Sequence, residues 1–396
     1  MLASKTHTCN QPRKINMEHT RQSTRTAVRR ILGLMAILSM TACSTLGSLQ
    51  STASKPQYLY AANAADGTVS AYRINTNTGA LTQVPGSPFA TRMADSITVN
   101  PAGTFAYVLD YFGGSVSAFR INAATGALTP IAGSPFGVPY LSHVAINHAG
   151  TFAYMRSGNS NTISAFSISA ATGALAPIPG SPFPTTPEPL SFLIDVSITI
   201  DPAGSFVYAV SGADGGSILA FRINAATGAL LPVSDGSFGG KDGADSITIN
   251  PAGTFAYAVN RRRHNVSVYR VNAATGALTQ VQGSPFPAPG LATHFVINPA
   301  GTFAYGLTTN NIALIFRLNL TTGAFTTISR ESLPAIDCEF SGMLINPAGT
   351  LMFEGCNAGH SISVFSINGK AGALTPVPGS PFAAGTNPAN LAIAKP

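Results

Sequence analysis

The chain has 396 residues, of which only 9% are charged and none is tryptophan. This apolar composition excludes an intrinsically disordered chain. The net charge of +7 comes mostly from residues 1–42, which contain seven Lys or Arg and one Glu, whereas the remaining residues contain 15 Lys or Arg and 14 Asp or Glu. The overall charge therefore gives no reason to expect a nucleic-acid partner.

Residues 1–42 are predicted to be an export signal and not part of the fold. Four arginines between residues 21 and 30 precede a short apolar run over 31–40, which ends in Met40-Thr41-Ala42-Cys43. This run is too short for a stable membrane span, and the order of basic, apolar and small residues is typical of a secretory signal.

Cys43 follows small residues and resembles the cysteine of the lipobox in bacterial lipoproteins, which is acylated. The resemblance predicts lipidation of Cys43, with residues 43–55 as a flexible tether. The alternative is a plain secretory signal with an incidental cysteine, and a start at Met17 would give a leader of more usual length. We therefore expect an exported lipoprotein, anchored to a membrane in the periplasm or at the cell surface.

Residues 56–396 contain an internal repeat. A phrase close to Thr-Gly-Ala-Leu recurs seven times, at steps of 47, 47, 55, 48, 47 and 49 residues. Its glycines are Gly79, Gly126, Gly173, Gly228, Gly276, Gly323 and Gly372. A period of this size with several strands per period is typical of β-propeller blades. The sequence therefore predicts an all-β, seven-bladed β-propeller with four antiparallel strands in each blade.

Residues 94–142 illustrate one predicted blade. Asn-Pro-Ala-Gly-Thr at 100–104 is a tight turn between the first two strands, and Asn-Ala-Ala-Thr-Gly at 122–126 is the hairpin loop before the fourth strand. A Gly-Ser-Pro-Phe exit phrase at 133–136 leads to the next blade, and its phenylalanine is expected to fill the gap between blades. This exit phrase is degraded at 236–238 and lost near 332–333.

The two ends of the repeat region are complementary. The first repeat begins at Tyr58-Leu59-Tyr60, which matches the second strand of a blade, whereas residues 390–394 match a first strand. The C-terminal strand is therefore predicted to complete the first blade and to close the ring. Closure removes both exposed sheet edges.

Two cysteines lie in the predicted propeller. Cys338 precedes one strand and Cys356 ends the next, so they should face each other across the open end of a hairpin. In an exported protein this arrangement predicts a disulfide, and the alternative is two free buried thiols.

The repeated phrases resemble those of a known family. Residues 116–128, followed by the Gly-Ser-Pro-Phe exit, and residues 100–107 are similar to the lactonase-type seven-bladed propellers, which include 6-phosphogluconolactonase-like proteins and grade into surface propellers with YVTN repeats. The resemblance covers about residues 55–396 and implies a hydrolase that acts on the carboxylic ester of a sugar lactone. These phrases are scaffold, so they assign no catalytic residue.

Candidate site residues were sought where the first strand of a blade starts and the second strand ends, since both lie at the same end of the central channel. We call this end the channel mouth. Lactone hydrolysis requires a group that activates water and a donor that stabilises an oxyanion. His143 or His294 is the candidate base and Arg156 the candidate donor. The candidate ligands for sugar hydroxyls are Asp95, Asp110, Asp245, Asn260 and Glu339.

Two functions remain open at this stage. The first is hydrolysis or binding of a small carbohydrate-like lactone at the channel mouth. The second is a non-catalytic interaction module that binds protein or polysaccharide at the cell surface. Arg156 and Glu354 both interrupt apolar strands near the mouth. No metal-ligand or phosphate-loop motif is present, so no cofactor is expected, and a monomer is expected.

Overall fold

Seven antiparallel sheets form the blades of a closed propeller. The computed structural model describes residues 55–138, 141–157, 162–185, 197–210, 217–239, 243–291, 295–308, 312–333 and 342–396. Predicted features outside these ranges, which include the leader, its cysteine Cys43 and the tether up to residue 54, are not described. The predicted fold class is confirmed, and within blades 2 to 7 the first four strands follow one another in chain order across the sheet, whereas in blade 1 the last strand of the chain pairs with the first.

The first three blades contain strands β1 to β14. Those of blade 1 are β1 (Gln57–Asn63), β2 (Thr68–Ile74), β3 (Leu81–Gln83) and β4 (Phe89–Ala90). Those of blade 2 are β5 (Ser96–Val99), β6 (Phe105–Asp110), β7 (Ser115–Ile121), β8 (Leu128–Pro130) and β9 (Phe136–Gly137). Those of blade 3 are β10 (Leu141–Ile146), β11 (Phe152–Ser157), β12 (Thr162–Ile168), β13 (Leu175–Pro177) and β14 (Phe183–Pro184).

The other four blades contain strands β15 to β32, and β33 follows them. Those of blade 4 are β15 (Ile198–Ile200), β16 (Phe206–Val210), β17 (Ile218–Ile223) and β18 (Leu230–Phe238). Those of blade 5 are β19 (Ser246–Ile249), β20 (Phe255–Asn260), β21 (Asn265–Val271), β22 (Leu278–Gln280) and β23 (Phe286–Pro287). Those of blade 6 are β24 (Val296–Ile297), β25 (Phe303–Leu307), β26 (Ile312–Leu318) and β27 (Phe325–Ser332). Those of blade 7 are β28 (Met343–Ile345), β29 (Leu351–Cys356), β30 (Ser361–Ile367), β31 (Leu374–Pro376) and β32 (Phe382–Ala383), and the last strand of the chain is β33 (Pro388–Ala394).

The exit phrase decides how the outer edge of each blade is built. Where Gly-Ser-Pro-Phe is intact, the chain leaves the fourth strand and its phenylalanine starts a two-residue strand that pairs with the third strand, as Phe136 pairs with Val116. Where the phrase is degraded or lost, β18 and β27 continue without a break. The exit phenylalanines pack against the apolar clusters between blades, as predicted.

The Thr-Gly-Ala-Leu glycine is the point at which one blade docks on the next. Gly173 of blade 3 has φ = 77°, and a Cβ placed on it would lie 2.4 Å from a ring carbon of Phe105 in blade 2. Tyr107 of blade 2 donates its hydroxyl to the carbonyl of Gly173 at 2.9 Å. The Arg120 guanidinium covers the Phe105 ring at 4.8 Å and donates to the carbonyl of Ala171. Only glycine provides both the left-handed backbone and the space for the ring.

The same contact recurs around the ring. Four other blades have the same tyrosine-to-glycine hydrogen bond, which joins Tyr60 to Gly126, Tyr154 to Gly228, Tyr208 to Gly276 and Tyr305 to Gly372. In blade 2 the turn Asn-Pro-Ala-Gly-Thr before the ring is fixed by its asparagine: Asn100 Oδ1 accepts the N–H groups of Thr104 and Phe105, both at 2.9 Å. The two scaffold phrases therefore cooperate, because one positions the ring and the other receives it.

The C-terminal strand closes the ring as predicted. β33 pairs with β1 in antiparallel register from Tyr58↔Ala394 to Asn63↔Pro388. It also contacts the blades on both sides. The Gly342 N–H of blade 7 donates to the Ala389 carbonyl at 2.9 Å, and Asn390 Oδ1 accepts the Ile97 N–H of blade 2 at 3.1 Å.

Helical structure is almost absent from the described residues. One 3₁₀ turn is present there, Arg261–Arg263, in the loop between β20 and β21. No helix within the described ranges is long and apolar enough to cross a membrane.

Replacement of Gly355 with alanine is expected to weaken ring closure. A Cβ on Gly355 would lie 2.3 Å from the Pro388 carbonyl oxygen of the closing strand, so one backbone must move. We expect Gly355→Ala to lower the free energy of unfolding by about 1–3 kcal/mol, the usual cost of overpacking. Thermal and urea unfolding measure the change.

Gly137→Ala is the matched control. Gly137 also lies in a strand, and no atom lies within 4 Å of a Cβ placed on it. This variant is expected to be as stable as the parent or slightly more stable. Equal stability of the Gly355 and Gly137 variants would contradict the proposed tight contact at the closing strand.

Candidate functional site

The channel mouth is formed by the starts of the innermost strands and the ends of the second strands. In blade 2 the N–H of Asp95, just before β5, donates to the Leu109 carbonyl near the end of β6 at 2.9 Å. In blade 5 Asp245 and Val259 make the equivalent bond at 2.8 Å. The predicted placement of both chain positions at one end of the blades is thus confirmed.

The predicted base His143 and the predicted donor Arg156 are cross-strand neighbours. His143 of β10 is directly opposite Arg156 of β11, so their side chains share a face of blade 3. Phe152 and Tyr154 of the same face pack against blade 4, so this face is directed toward that blade. The equivalent pairs of blades 2 and 5 are Ser96 with Leu109 and Ser246 with Val259. Blade 3 therefore replaces a small and an apolar residue with an imidazole and a guanidinium.

A β-bulge positions His143 on the innermost strand. Leu141 pairs with Ser157 and His143 pairs with Arg156, so β10 contains one residue more than its partner at this point. A bulge of this kind changes the direction in which the following side chain projects and is common beside active sites. His143 is partly exposed, whereas Arg156 behind it is fully buried.

Arg156 is a buried cation held between two blades. Its Nη1 donates to the carbonyl of Val210 at the end of β16 in blade 4. Burial lowers the pKa of Arg156 to about 10, because desolvation disfavours the charged form. A group with this pKa is still protonated at neutral pH, so Arg156 carries a positive charge next to His143.

Asp95 and Asp245 make the same contact in blades 2 and 5. Asp95 Oδ2 accepts the N–H of Tyr111, and Asp245 Oδ2 accepts the N–H of Arg261, each at 2.7 Å. We call this contact the aspartate clamp, because it ties the start of the innermost strand to the loop after the second strand. Asp245 also forms an ion pair with the Arg261 guanidinium at 3.4 Å. Burial raises the pKa of Asp95, the Tyr111 N–H opposes the shift, and the Asp110 charge adds to it.

Asp110 and Asn260 end the second strands of the same two blades. Asp110 is nearly buried, and its Oδ1 accepts the Gly113 N–H at 2.6 Å. Asn260 is 1% exposed, and its amide nitrogen donates to Asn265 and Ser267 of the adjacent strand. Both side chains therefore organise their own hairpin loops at the channel mouth.

Several predicted residues lie outside the described ranges. They are His294, Glu339 and Cys338. Cys356 is fully buried at the end of β29, and its disulfide with Cys338 stays a prediction. Among the described residues, no group of three or more His, Cys, Asp or Glu side chains has the arrangement of a metal site.

Glu354 is a second buried ionisable residue near the mouth. It interrupts an apolar strand of the sequence, and the repeat pattern gives it no role. It lies in β29 opposite Ser363 and is fully buried, and within the described part of the chain neither carboxylate oxygen has a hydrogen-bond partner. Burial raises its pKa to about 8, so the side chain is mostly neutral at neutral pH.

Comparison with known proteins agrees with this architecture. The family model described as "Lactonase, 7-bladed beta-propeller" matches residues 52–194, 142–293 and 235–338. No curated protein sequence matches the chain.

Solved structures with the same fold include a candidate 6-phosphogluconolactonase from Bacteroides uniformis. It has 17% sequence identity and a TM-score of 0.72, with 86% of this chain and 100% of that chain covered. A second candidate 6-phosphogluconolactonase, from Bacteroides fragilis, has 19% identity and a TM-score of 0.72, over 87% of this chain and 99% of that chain. The periplasmic gluconolactonase PpgL of Pseudomonas aeruginosa has 17% identity and a TM-score of 0.69, over 86% and 100%. At these identities the similarity shows the fold alone.

The buried Glu354 carboxyl is expected to make stability fall as the pH rises. In the unfolded chain it ionises near its ordinary pKa of 4.5, whereas in the folded chain it stays neutral up to about pH 8. Between these two values the unfolded state is favoured by up to about 1.4 kcal/mol for each pH unit. Below the lower value there is no penalty, and above the upper value the penalty is constant.

Glu354→Gln isolates this effect, because the amide has the same shape and does not titrate. We expect the two proteins to differ least in stability near pH 5, and the variant to gain stability relative to the parent by pH 8. Urea unfolding at a series of pH values measures the difference. A difference that does not change with pH would show that Glu354 does not titrate abnormally.

Proposed function

This chain belongs to the seven-bladed lactonase β-propeller family, and from that premise we propose that it hydrolyses a sugar-type lactone at the channel mouth. The observation that carries the proposal is the His143–Arg156 pair, where an imidazole on the innermost strand lies opposite a buried guanidinium. No other described blade has two such residues at these positions.

The pair supplies the two functions that lactone hydrolysis needs. In the proposed reaction, the His143 imidazole accepts a proton from water as the water oxygen attacks the carbonyl carbon of the lactone. The carbonyl oxygen becomes an oxyanion, and the positive charge of Arg156, which is buried behind His143, stabilises it electrostatically without direct contact. When the tetrahedral intermediate collapses, the ring C–O bond breaks, and the imidazolium returns its proton to the departing ring oxygen. The product is an open-chain hydroxy acid.

The charge of Arg156 suits this role. The guanidinium is buried and already held by the Val210 carbonyl, so it is oriented before a ligand arrives. An oriented charge in a site of low dielectric stabilises a developing anion more strongly than the same charge in water. Its pKa of about 10 keeps this charge throughout the neutral pH range.

The proposed ligand class follows from the site and from the relatives. Gluconolactonase and 6-phosphogluconolactonase are the activities named for structures of this fold. The carboxylates of Asp95, Asp110 and Asp245 lie at the same mouth, and of these the partly exposed Asp95 is the acceptor that we propose for sugar hydroxyls, because Asp110 is buried and Asp245 is paired with Arg261. His294 and Glu339 remain further candidates for the base and for hydroxyl binding.

We also propose that the protein is exported and anchored by lipid at Cys43. The support is the sequence of the leader, together with the small residues before the cysteine. The Pseudomonas protein of the same fold is named as periplasmic. The membrane is the proposed partner of the lipidated Cys43, and a small carbohydrate is the proposed partner of the channel mouth.

Repeat-guided substitutions test the proposed reaction. Arg156→Leu and His143→Ser introduce the residues that blade 2 has at the same positions, Leu109 and Ser96, so both variants are expected to fold. Loss of the buried positive charge in Arg156→Leu is expected to lower kcat/KM by about 10²–10³. Loss of the base is expected to lower it by about 10²–10⁴. Proton release from glucono-1,5-lactone measures the rates, after subtraction of the spontaneous reaction.

Ser246→Ala in blade 5 is the control, since it occupies the position equivalent to His143. It should hydrolyse the lactone as the parent does. Parent-like rates in the Arg156 and His143 variants would show that the site is elsewhere. Absence of hydrolysis by the parent on a broad panel of lactones would favour the non-catalytic interaction module.

Lipidation is tested by processing of the precursor. In cells that make the parent protein, globomycin is expected to cause accumulation of the unprocessed form, because it inhibits lipoprotein signal peptidase. Cys43→Ser is expected to abolish labelling with a fatty-acid probe and release of the leader at this position. Globomycin-insensitive cleavage of the parent would instead indicate a plain secretory signal.

A further inference from the structure

An exposed aromatic ring lies next to the aspartate clamp at the mouth of blade 2. Phe112, in the loop between β6 and β7, is 77% exposed, the highest value of any large apolar residue in the described ranges. Single exposed apolar residues are common and often have no function. Phe112 differs from such residues because hydrogen bonds fix the loop that carries it.

Hydrogen bonds fix both sides of this loop. Its N–H groups at Tyr111 and Gly113 are bound by Asp95 at 2.7 Å and by Asp110 at 2.6 Å, and the carbonyl of Gly114 accepts the Val138 N–H at 2.8 Å. The loop is therefore attached to the innermost strand, to the end of β6 and to the exit segment.

The turn and the ring are both well constrained. A Cβ on Gly113 would lie 2.1 Å from Asp110 Oδ2, so the close approach of this carboxylate depends on glycine. Tyr111 packs edge-on against Phe112, with ring centroids 5.0 Å apart and an interplanar angle of 90°. A ring held in this way can stack on a ligand with little loss of conformational entropy.

Blade 5 shows that the aspartate clamp itself does not require an aromatic residue. Its clamp has Asp245 bound to Arg261, and the next residue is Arg262. The same backbone arrangement therefore presents two aromatic residues in blade 2 and cations in blade 5. The clamp is therefore scaffold, and the residues at the two loop tips are set independently of it.

An aromatic side chain next to a partly exposed carboxylate offers the two kinds of contact that a pyranose can make. A hexopyranose has an apolar face of axial C–H groups and an edge of hydroxyl donors. The apolar face can pack on the Phe112 ring, while hydroxyl groups donate to the carboxylate of Asp95, which is a strong acceptor, and the buried Asp110 holds the loop beneath the ring. Asp95 is partly exposed, so its second oxygen is not confined to the clamp.

We propose that Phe112 and the partly exposed Asp95 form a hexopyranose-binding subsite at the channel mouth. The subsite rests on the proposed function in one respect, namely that a sugar lactone enters at the same mouth. It holds the sugar ring by stacking and hydroxyl contacts and takes no part in bond breaking, so it should also bind a pyranose that has no lactone.

Methyl β-D-glucopyranoside is a suitable probe, because it is stable in water and has no carboxylic ester. Saturation-transfer difference NMR with the purified protein reports which ligand protons lie near the protein. Stacking predicts strongest saturation of H1, H3 and H5, the axial protons of one face. Phe112→Ala is expected to weaken binding by about threefold to tenfold, as for loss of an aromatic contact. Phe112→Trp is expected to retain binding.

Leu320→Ala is the matched control, because Leu320 is also an exposed apolar residue, at 55%, but lies in a hairpin loop at the opposite end of blade 6. It should bind the glucoside as the parent does. Thermal unfolding should give the same Tm for all three variants, since both parent side chains are largely solvated. No saturation of the parent at millimolar glucoside, or equal binding by Phe112→Ala, would overturn the subsite.

The outcome is separable from that of the lactonase proposal. Binding of the glucoside through Phe112 without hydrolysis of any lactone would support the subsite and oppose the proposed reaction. Hydrolysis that is lost in Arg156→Leu, but with a KM and glucoside binding unchanged in Phe112→Ala, would support the reaction and overturn the subsite.

Discussion

The propeller depends on one contact, in which a large apolar side chain of each blade, aromatic in six of the seven blades, packs on the glycine backbone of the next. In blade 2, Phe105, Tyr107 and Arg120 all reach the hairpin of blade 3 around Gly173, by stacking, by a hydroxyl hydrogen bond and by a guanidinium hydrogen bond. The three side chains come from two strands, so the docking contact also holds those strands together. A side chain on the glycine would separate the blades, which explains why the phrase recurs with so little variation.

This docking contact lies at the end of the blades opposite the channel mouth, and the mouth is therefore free to vary. Near the mouth, the positions of Leu109 and Val259 in other blades are occupied in blade 3 by Arg156, and the position of Val108 is occupied in blade 7 by Glu354. A buried ionisable group costs stability unless it is well paired. A scaffold that docks its blades elsewhere can tolerate that cost, and such costs are usually found where a protein binds or reacts.

The fold was largely predictable from the sequence because the determinants of the blade are local and repeated. The Thr-Gly-Ala-Leu period predicted seven blades, the unmatched ends predicted closure, and loss of the Gly-Ser-Pro-Phe phrase coincides with the uninterrupted strands β18 and β27. Repeat alignment also placed His143 and Arg156 at neighbouring positions. It did not predict that a bulge precedes His143, because an extra residue in a short irregular strand has no sequence signature of its own.

The structural roles of the three aspartates at the mouth could not be predicted from the sequence. Sequence alignment placed Asp95, Asp110 and Asp245 at the mouth, but carboxylates there have two uses that alignment does not distinguish. Each accepts a backbone N–H from its own loop, which is a structural task. The partly exposed Asp95 also has an oxygen that is not confined to this contact, whereas Asp245 pairs its second oxygen with Arg261 and Asp110 is buried. Phe112 was missed for a related reason. Its counterpart in blade 5 is Arg262, so the repeat does not predict an aromatic residue at this position, and the support for the Phe112 ring is visible only in the hydrogen bonds of its loop.

The pairing of strands at ring closure differs from the pairing inside the other blades. The closing strand pairs Ala62 with Asn390 but Asn63 with Pro388, so Ala389 is an extra residue on the closing strand. This places the backbone near Pro388 against blade 7, where Gly342 and Gly355 leave space for it. The Gly342 N–H then bonds the Ala389 carbonyl, while Asn390 reaches Ile97 of blade 2. One short strand thus binds three consecutive blades, so its loss would release both neighbours of blade 1 at once. Closure is cooperative for this reason, and the two glycines of blade 7 are the sequence feature that permits it.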